Sequence, residues 1–380
     1  MPGLSGFFER KNMSFNPDNS RRKALIAMSG GVDSSVAAYL AIESGLDCIG
    51  VTMKLFNNED AGISREKSCC SLEDTEYARG VAYRLGMPYY VFNFTADFKE
   101  QVMRRFVEAY ERGVTPNPCI DCNRYLKFDR LYRRAKELGC EYVVTGHYAR
   151  IEEENGRFLL KKAVDPTKDQ SYVLYSMTQD ELRHTLFPLG GMTKTHTREL
   201  ARKLGFYNAD KPDSQDICFV PDGDYASFIR SFTGRDYPRG EFVDKSGNVL
   251  GEHRGLIGYT VGQRKGLGAF GRPMFVTRIV PEQNAVILGE NGAQYAKEFT
   301  VEGINAISAQ MSGSFDCDVK IRFRAPAAPA HVEFGSKNTA RVIFFEEQRS
   351  VTPGQFAAFY IGNEVIGGAK IAGVEAQRIL

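Results

Sequence analysis

From Lys23 to about Gly146, four short apolar runs, KALIAM, CIGVTM, YYVFNF and YVVTGH, alternate with longer stretches of helical spacing. Those stretches are SVAAYLAIESG, SLEDTEYARGVAYRLG, ADFKEQVMRRFVEAYERG and NRYLKFDRLYRRAKELG. The alternation predicts βαβ units and hence an α/β fold built on an open parallel sheet. Ser71 with Asp74 reads as a capping pair, and Gly86 and Gly139 stand where helices would end. Sites in such sheets gather at the C-terminal ends of strands, which puts Ser29, Met53, the segment after Asn93, and Gly146 on one rim.

The pattern changes from about Arg157, where a hairpin is expected, followed by a helical stretch, TRELARKLG, opened by Thr197. After Phe219 the text becomes Gly-rich, with short strand candidates and turn signals such as KSGN and ENGA, suggesting two small β-rich modules divided near Gly289. At 380 residues the chain exceeds one ordinary core. The expected division is a leader over 1–22, the α/β domain over 23–220, a small β-rich domain over 221–289 and a C-terminal β domain over 290–380. No apolar run approaches the roughly 20 residues a bilayer crossing needs. The first 22 residues lack a secretory pattern, so a soluble, cytoplasmic protein is expected. A net charge of +2 gives no bulk attraction for nucleic acid, so such a partner would be held by local basic patches.

The first apolar run breaks on SGGVDS, Ser29 to Ser34. Between a strand and a helix, backbone N–H groups and the helix N-terminus can hold a phosphate. The motif lacks the Gly-Lys-Ser/Thr of a Walker A loop and the GxGxxG spacing of dinucleotide folds. A Gly-rich turn with a helix-capping Asp is the alternative. Asp33 among phosphates would repel them unless a divalent cation bridges the two, which implies Mg²⁺.

A second loop, TPNPCIDCNRYLKF, carries two prolines that exclude helix and a Cys-x-x-Cys just before a helical pattern. A thiol at a helix N-terminus ionises more readily, so Cys122 is expected to be reactive. Cys218 lies in DSQDICFVP. Eight cysteines in a chain this long do not make a disulfide scaffold, and Cys48, Cys140 and Cys317 read as inert core. Zinc needs four ligands and the only other cluster is Cys69-Cys70, so no metal-ligating set is assigned.

SGGVDS matches the pyrophosphate-binding loop of the N-type ATP pyrophosphatases. In order along the chain, SGGVDSS, VTMK, TPNPxxxCN, TGHYAR, KDQSYVL, SQDICF, GYTVGQRKGLG, KIRFR and VTPGQ together resemble the bacterial tRNA-specific 2-thiouridylases of the MnmA/TrmU type. The resemblance implies an ATP pyrophosphatase domain, a small central domain and a C-terminal β-barrel. It implies adenylation of the C2 oxygen of a wobble uridine in tRNA, followed by sulfur transfer from a cysteine persulfide, giving 2-thiouridine, AMP and pyrophosphate. Cys218 matches the residue that takes persulfide sulfur from a donor protein and Cys122 its catalytic partner; a Cys122–Cys218 disulfide would then form and be reduced. ATP would sit on Ala27, Met28, Ser29 and Gly30 and on Gly31, Val32, Asp33 and Ser34, with Met53 and Gly146 near the nucleoside. Asn117, Pro118 and Cys119 would lie beside the flipped base. His147, the segment Lys168, Asp169 and Gln170, the pair Arg322 and Phe323, and Gln355 match tRNA-contacting positions. The chain is expected to work as a monomer.

Many family members carry Asp where this chain has Cys119, an Asp assigned to proton transfer, and Asp121 is the candidate substitute. Cys119, Cys122 and Cys218 also resemble the three thiolates of an open-site [4Fe-4S] cluster in other tRNA thiolases. An amidotransferase-type ligase of the same fold, or a non-catalytic tRNA-binding protein, are the rival readings.

Overall fold

The computed structural model describes residues 22–57, 72–213, 216–309 and 311–374. The expected leader, apart from its last residue, lies outside them, as do Ser71 of the expected capping pair and Cys69-Cys70. Strands Tyr89–Asn93, Asp47–Lys54, Lys23–Ala27, Tyr142–Val144 and Thr185–Leu186 lie side by side in that order, every pairing parallel. Alternation along Lys23–Ala27 splits the core. Ala24 and Ile26 face a cluster under the helix Val32–Glu43. Leu25 faces the opposite side, with Phe98, Phe106 and Leu131, as the two-residue period of a strand requires. Gly86 and Gly139 adopt φ of +68° and +70°, the left-handed turn expected after a helix.

Two helix boundaries differ from the sequence reading. The later helix runs Lys194–Lys203 and is capped by Thr193, whose side chain accepts from the His196 N–H; Thr197 is fully buried inside it. The cysteine loop also turns helical sooner than its prolines suggested. Pro118 occupies the first helical position, where its missing N–H costs nothing. Segments Pro118–Asp121, Cys122–Arg130 and Leu131–Glu137 follow without a break, the middle one wound as a π-helix.

The expected hairpin is Ala149–Glu154 paired with Arg157–Lys162, turning on Asn155 and Gly156, both with positive φ. It does not stand alone. Leu160 and Lys161 pair with Val365 and Glu364 of the C-terminal sheet, so an N-terminal hairpin extends that sheet. There, Tyr295–Ala306, Thr339–Arg349, Ala328–Phe334, Ser314–Lys320, Phe356–Ile361 and Glu364–Val374 follow in order, and the last pairs back to the first, closing a six-stranded barrel. Between the two lies a four-stranded sheet, ordered Phe275–Val280, Ala285–Gly289, Gly240–Val243 and Val249–His253. Among the described residues no helix is long and apolar enough to cross a membrane.

Candidate active site

The order of the parallel sheet reverses at Lys23–Ala27, whose neighbours on its two sides are Asp47–Lys54 and Tyr142–Val144. A ligand crevice opens where strand order reverses, at the C-terminal ends of the strands. Two segments meet there. The SGGVDS turn leaves Ala27 and enters the Val32–Glu43 helix, and Gly146 follows Val144. A Cβ on Gly146 would lie 2.8 Å from the Asp33 carbonyl carbon and the Ser34 nitrogen, so only glycine allows this approach.

Gly30 has φ +76° and a Cβ there would stand 2.3 Å from the Asp74 carbonyl oxygen. Asp74 is held in place by Lys211, and the Gly30 carbonyl accepts from Asn208 Nδ2 at 2.8 Å. Gly31, at the helix N-cap, receives no side-chain cap, so the first-turn N–H groups present partial positive charge to the crevice. The Ser29 and Ser34 hydroxyls lie 3.3 Å apart at its edge. This cradle fits a pyrophosphate group. Gly30→Ala adds left-handed strain of about 1–3 kcal/mol and the overlap with Asp74, so affinity for a non-hydrolysable ATP analogue should fall at least about tenfold by calorimetry.

Asp33 does not face the phosphates as a free carboxylate. Lys194 Nζ lies 2.7 Å from both its oxygens and the Tyr148 hydroxyl donates to it at 2.9 Å. Lys194 also reaches Asp213 at 2.7 Å, which is joined by Lys168 at 2.8 Å and Arg198 at 3.1 Å. Lys168 and Lys194 outweigh the cost of partial burial and hold the Asp213 carboxyl down at about 2. The Asp33 carboxylate is therefore paired with a lysine in this structure. Lys194 escaped the sequence reading; its one signal was a cation in the first turn of a helix, where the dipole favours acids.

The three residues of KDQ have defined tasks. Lys168 pairs with Asp213, Asp169 accepts from the Ala163 N–H and the Ser171 hydroxyl, and Gln170 exchanges two hydrogen bonds with the Tyr148 backbone. Met53, partly buried at its strand end, packs against the Leu25 cluster.

The cysteine loop borders the same cluster. Cys122 and Cys218, both partly buried, pack on it, and Phe219 is locked between Phe98, Phe106 and Phe228 at 5.0–5.6 Å. Cys122 is not activated by the helix dipole: the helix starts at Pro118, so the thiol lies beyond its first turn, where the dipole fades. Burial pushes the thiol up to about 11, against the pull of Lys127. Cys119, in the first turn, has an exposed side chain, and desolvation of its sulfur by the surrounding residues raises its thiol against the pull of Lys127. Asp121 is pushed up to about 6 by burial, which outweighs Arg105, Arg124 and Lys370. It lines a cavity of about 740 Å³ between the cysteine loop and the barrel.

His147 is buried 2.7 Å from the Thr145 hydroxyl and 3.4 Å from Lys127 Nζ; burial and that cation keep its imidazole neutral. Asn117 hydrogen-bonds Tyr172, whose ring lies 6.4 Å from that of half-exposed Phe323. Arg322 is committed to the Val261 carbonyl at 3.0 Å and to Thr352. Gln355 Nε2 donates to the Thr115 and Pro116 carbonyls at 3.0 and 2.9 Å, tying the barrel to the cysteine loop. Gln355→Ala removes both bonds, about 1 kcal/mol each, and should raise KM for tRNA roughly tenfold in steady-state kinetics while leaving KM for ATP in place.

Among the described residues no three His, Cys, Asp or Glu side chains stand where they could hold a metal ion. Cys119, Cys122 and Cys218 thus do not form a cluster site in this structure.

Residues 22–222 match the family model described as tRNA methyl transferase HUP domain, 226–290 its PRC-barrel domain and 296–371 an aminomethyltransferase beta-barrel domain. The chain is 48% identical over 354 residues to the tRNA-specific 2-thiouridylase MnmA of Clostridioides difficile, covering 92% of this chain and 98% of that one. Against the protein of the same name from Clostridium acetobutylicum it is 48% identical over 352 residues, covering 92% and 99%. A crystal structure of a 4-thiouridine synthetase–RNA complex with bound ATP aligns at TM-score 0.37 and 21% identity, over 57% of this chain and 54% of that one.

Proposed function

The chain belongs to the tRNA-specific 2-thiouridylase family, and from that premise we propose how its residues divide the work of an ATP-dependent tRNA sulfurtransferase. The backbone of Ala27 to Ser34 and the open first turn after Gly31 bind the β- and γ-phosphates of ATP, and Gly146 gives the nucleotide room. Mg²⁺ enters with ATP as the counter-ion of its phosphates. The C2 oxygen of the wobble uridine attacks the α-phosphorus, pyrophosphate leaves, and the base carries AMP. A carbonyl oxygen is a poor leaving group and an adenylate a good one, which is why ATP is spent.

Cys218 then presents sulfur as a persulfide received from a donor protein. The terminal sulfur attacks C2, AMP departs with the former carbonyl oxygen, and Cys122 attacks Cys218 Sγ to free the thiocarbonyl. The two cysteines end as a disulfide. Asn117, Pro118 and Cys119 border the flipped base, and Asp121, with a carboxyl that exchanges its proton near neutral pH, is the candidate proton carrier. His147, Lys168, Asp169, Gln170, Arg322, Phe323 and Gln355 shape the tRNA face, several of them by holding neighbouring loops. One chain supplies every residue named, so we read the working unit as a monomer, in the cytoplasm where tRNA and ATP are found.

The observation that supports this reading is that Cys122 and Cys218 pack against the cluster that takes in Leu25, with Ala27 packed on it too, and these two residues belong to the strand that leads into the SGGVDS turn. Undermodified tRNA incubated with ATP, Mg²⁺ and inorganic polysulfide, whose sulfane sulfur can pass to the Cys218 thiol, should yield 2-thiouridine at the wobble position by nucleoside mass spectrometry. An unchanged uridine would overturn it.

A further inference from the structure

Cys119 and Cys122 sit at i and i+3 at the start of one helix. Side chains at that spacing have Cβ atoms about 5–6 Å apart, close to the roughly 3.5–4.5 Å of a disulfide. The helix switches to π winding at Cys122, a geometry that marks locally adjustable turns at functional sites. Both thiols are reduced; the charge of Cys119 acts on Cys122, and Lys127 acts on both. They differ in access: Cys119 is exposed, whereas Cys122 and Cys218 are partly buried on an apolar cluster. A Cys122–Cys218 disulfide would thus be shielded from an outside reductant, and one that includes Cys119 would not.

We propose that Cys119 is the resolving thiol of the cycle, a role resting on the sulfur-transfer reading above. After sulfur has been delivered, the Cys119 thiolate attacks Cys122 Sγ in the Cys122–Cys218 disulfide. One S–S bond forms, Cys119–Cys122, and one breaks, expelling Cys218 as a thiolate. The proton lost by Cys119 is matched by one that Cys218 can take up, and no net oxidation occurs. Cys218 is free for the next persulfide. The disulfide's oxidising equivalents now sit at the surface, where an external dithiol reduces them.

The test is one turnover without reductant, using enzyme charged with inorganic polysulfide, ATP, Mg²⁺ and undermodified tRNA, quenched with an alkylating agent and mapped unreduced. Cys119 and Cys122 fall in one tryptic peptide, Gly113 to Arg124. The expected product is that peptide lacking two hydrogens and unalkylated, with Cys218 alkylated. In Cys119→Ser the Gly113–Arg124 peptide should stay crosslinked to Cys218, and the ratio of multiple- to single-turnover rate with dithiothreitol should fall at least about tenfold. A wild-type end product crosslinked through Cys218, with Cys119 alkylated, overturns the proposal, as does an unchanged rate ratio. If no 2-thiouridine forms in the wild-type reaction, the underlying reading fails first and takes this one with it.

Discussion

Cys218→Ser and Cys122→Ser should each lower 2-thiouridine formation by at least about 10³-fold while tRNA-dependent pyrophosphate release continues. A serine hydroxyl matches the size of the thiol, so the apolar cluster around Phe219 stays packed, but it can neither carry a persulfide nor attack one. In the proposed reaction, adenylation runs on the SGGVDS turn and needs neither thiol. Nucleoside mass spectrometry and a pyrophosphate assay on the same reaction separate the two halves. A ligase of the same fold makes the opposite forecast: its amine transfer has no use for these cysteines, and turnover would survive intact in both variants. Because burial pushes the Cys122 thiol up to about 11, the wild-type thiolation rate should rise as pH increases above 7, provided tRNA binding leaves that burial in place.

Lys194→Met should lower kcat/KM for ATP by at least about 10²-fold, the second large effect. Lys194 Nζ lies between Asp33 and Asp213, 2.7 Å from each. Removing it leaves two partly buried carboxylates facing each other and directs Asp33 at the phosphates, the repulsion the sequence alone foretold. Breaking a buried pair costs up to about 3–5 kcal/mol, and solvent access to both carboxylates puts this case at the lower end. Lys194 acts as a positioning residue, so the loss should appear in nucleotide affinity as well as in rate, and Asp33→Asn in the methionine background should restore part of it. A double mutant no better than Lys194→Met would contradict this. The acid side follows from Asp213, whose carboxyl is depressed to about 2. Its contribution to stability is full above about pH 4, the unfolded value, and fades as pH falls toward 2; in Lys194→Met that part of the acid transition should shrink.

What could be read in the sequence was local. A strand of period two and a helix of period 3.6 leave their marks in neighbouring residues, so the strands around Leu25, Val51 and Val143 and the C-caps at Gly86 and Gly139 were legible. The SGGVDS turn and its glycines were legible for the same reason: φ and close approach restrict a position to one residue type. Three features were not. Pro118 reads as a helix breaker until its place at the first turn is known, and that shift of four residues moves Cys122 out of reach of the dipole. Lys194 is 161 residues from Asp33 and belongs to it only through the fold. The Ala149–Lys162 hairpin pairs with strand Glu364–Val374 across some 200 residues, a register that no periodicity encodes.

The central claim is that ATP is split against the very oxygen that sulfur replaces. It is tested most directly by tRNA carrying ¹⁸O at C2 of the wobble uridine, reacted with ATP, Mg²⁺ and a sulfur source. The account predicts that each AMP released alongside 2-thiouridine carries the ¹⁸O in its phosphate. AMP free of the label, with 2-thiouridine formed all the same, would contradict it.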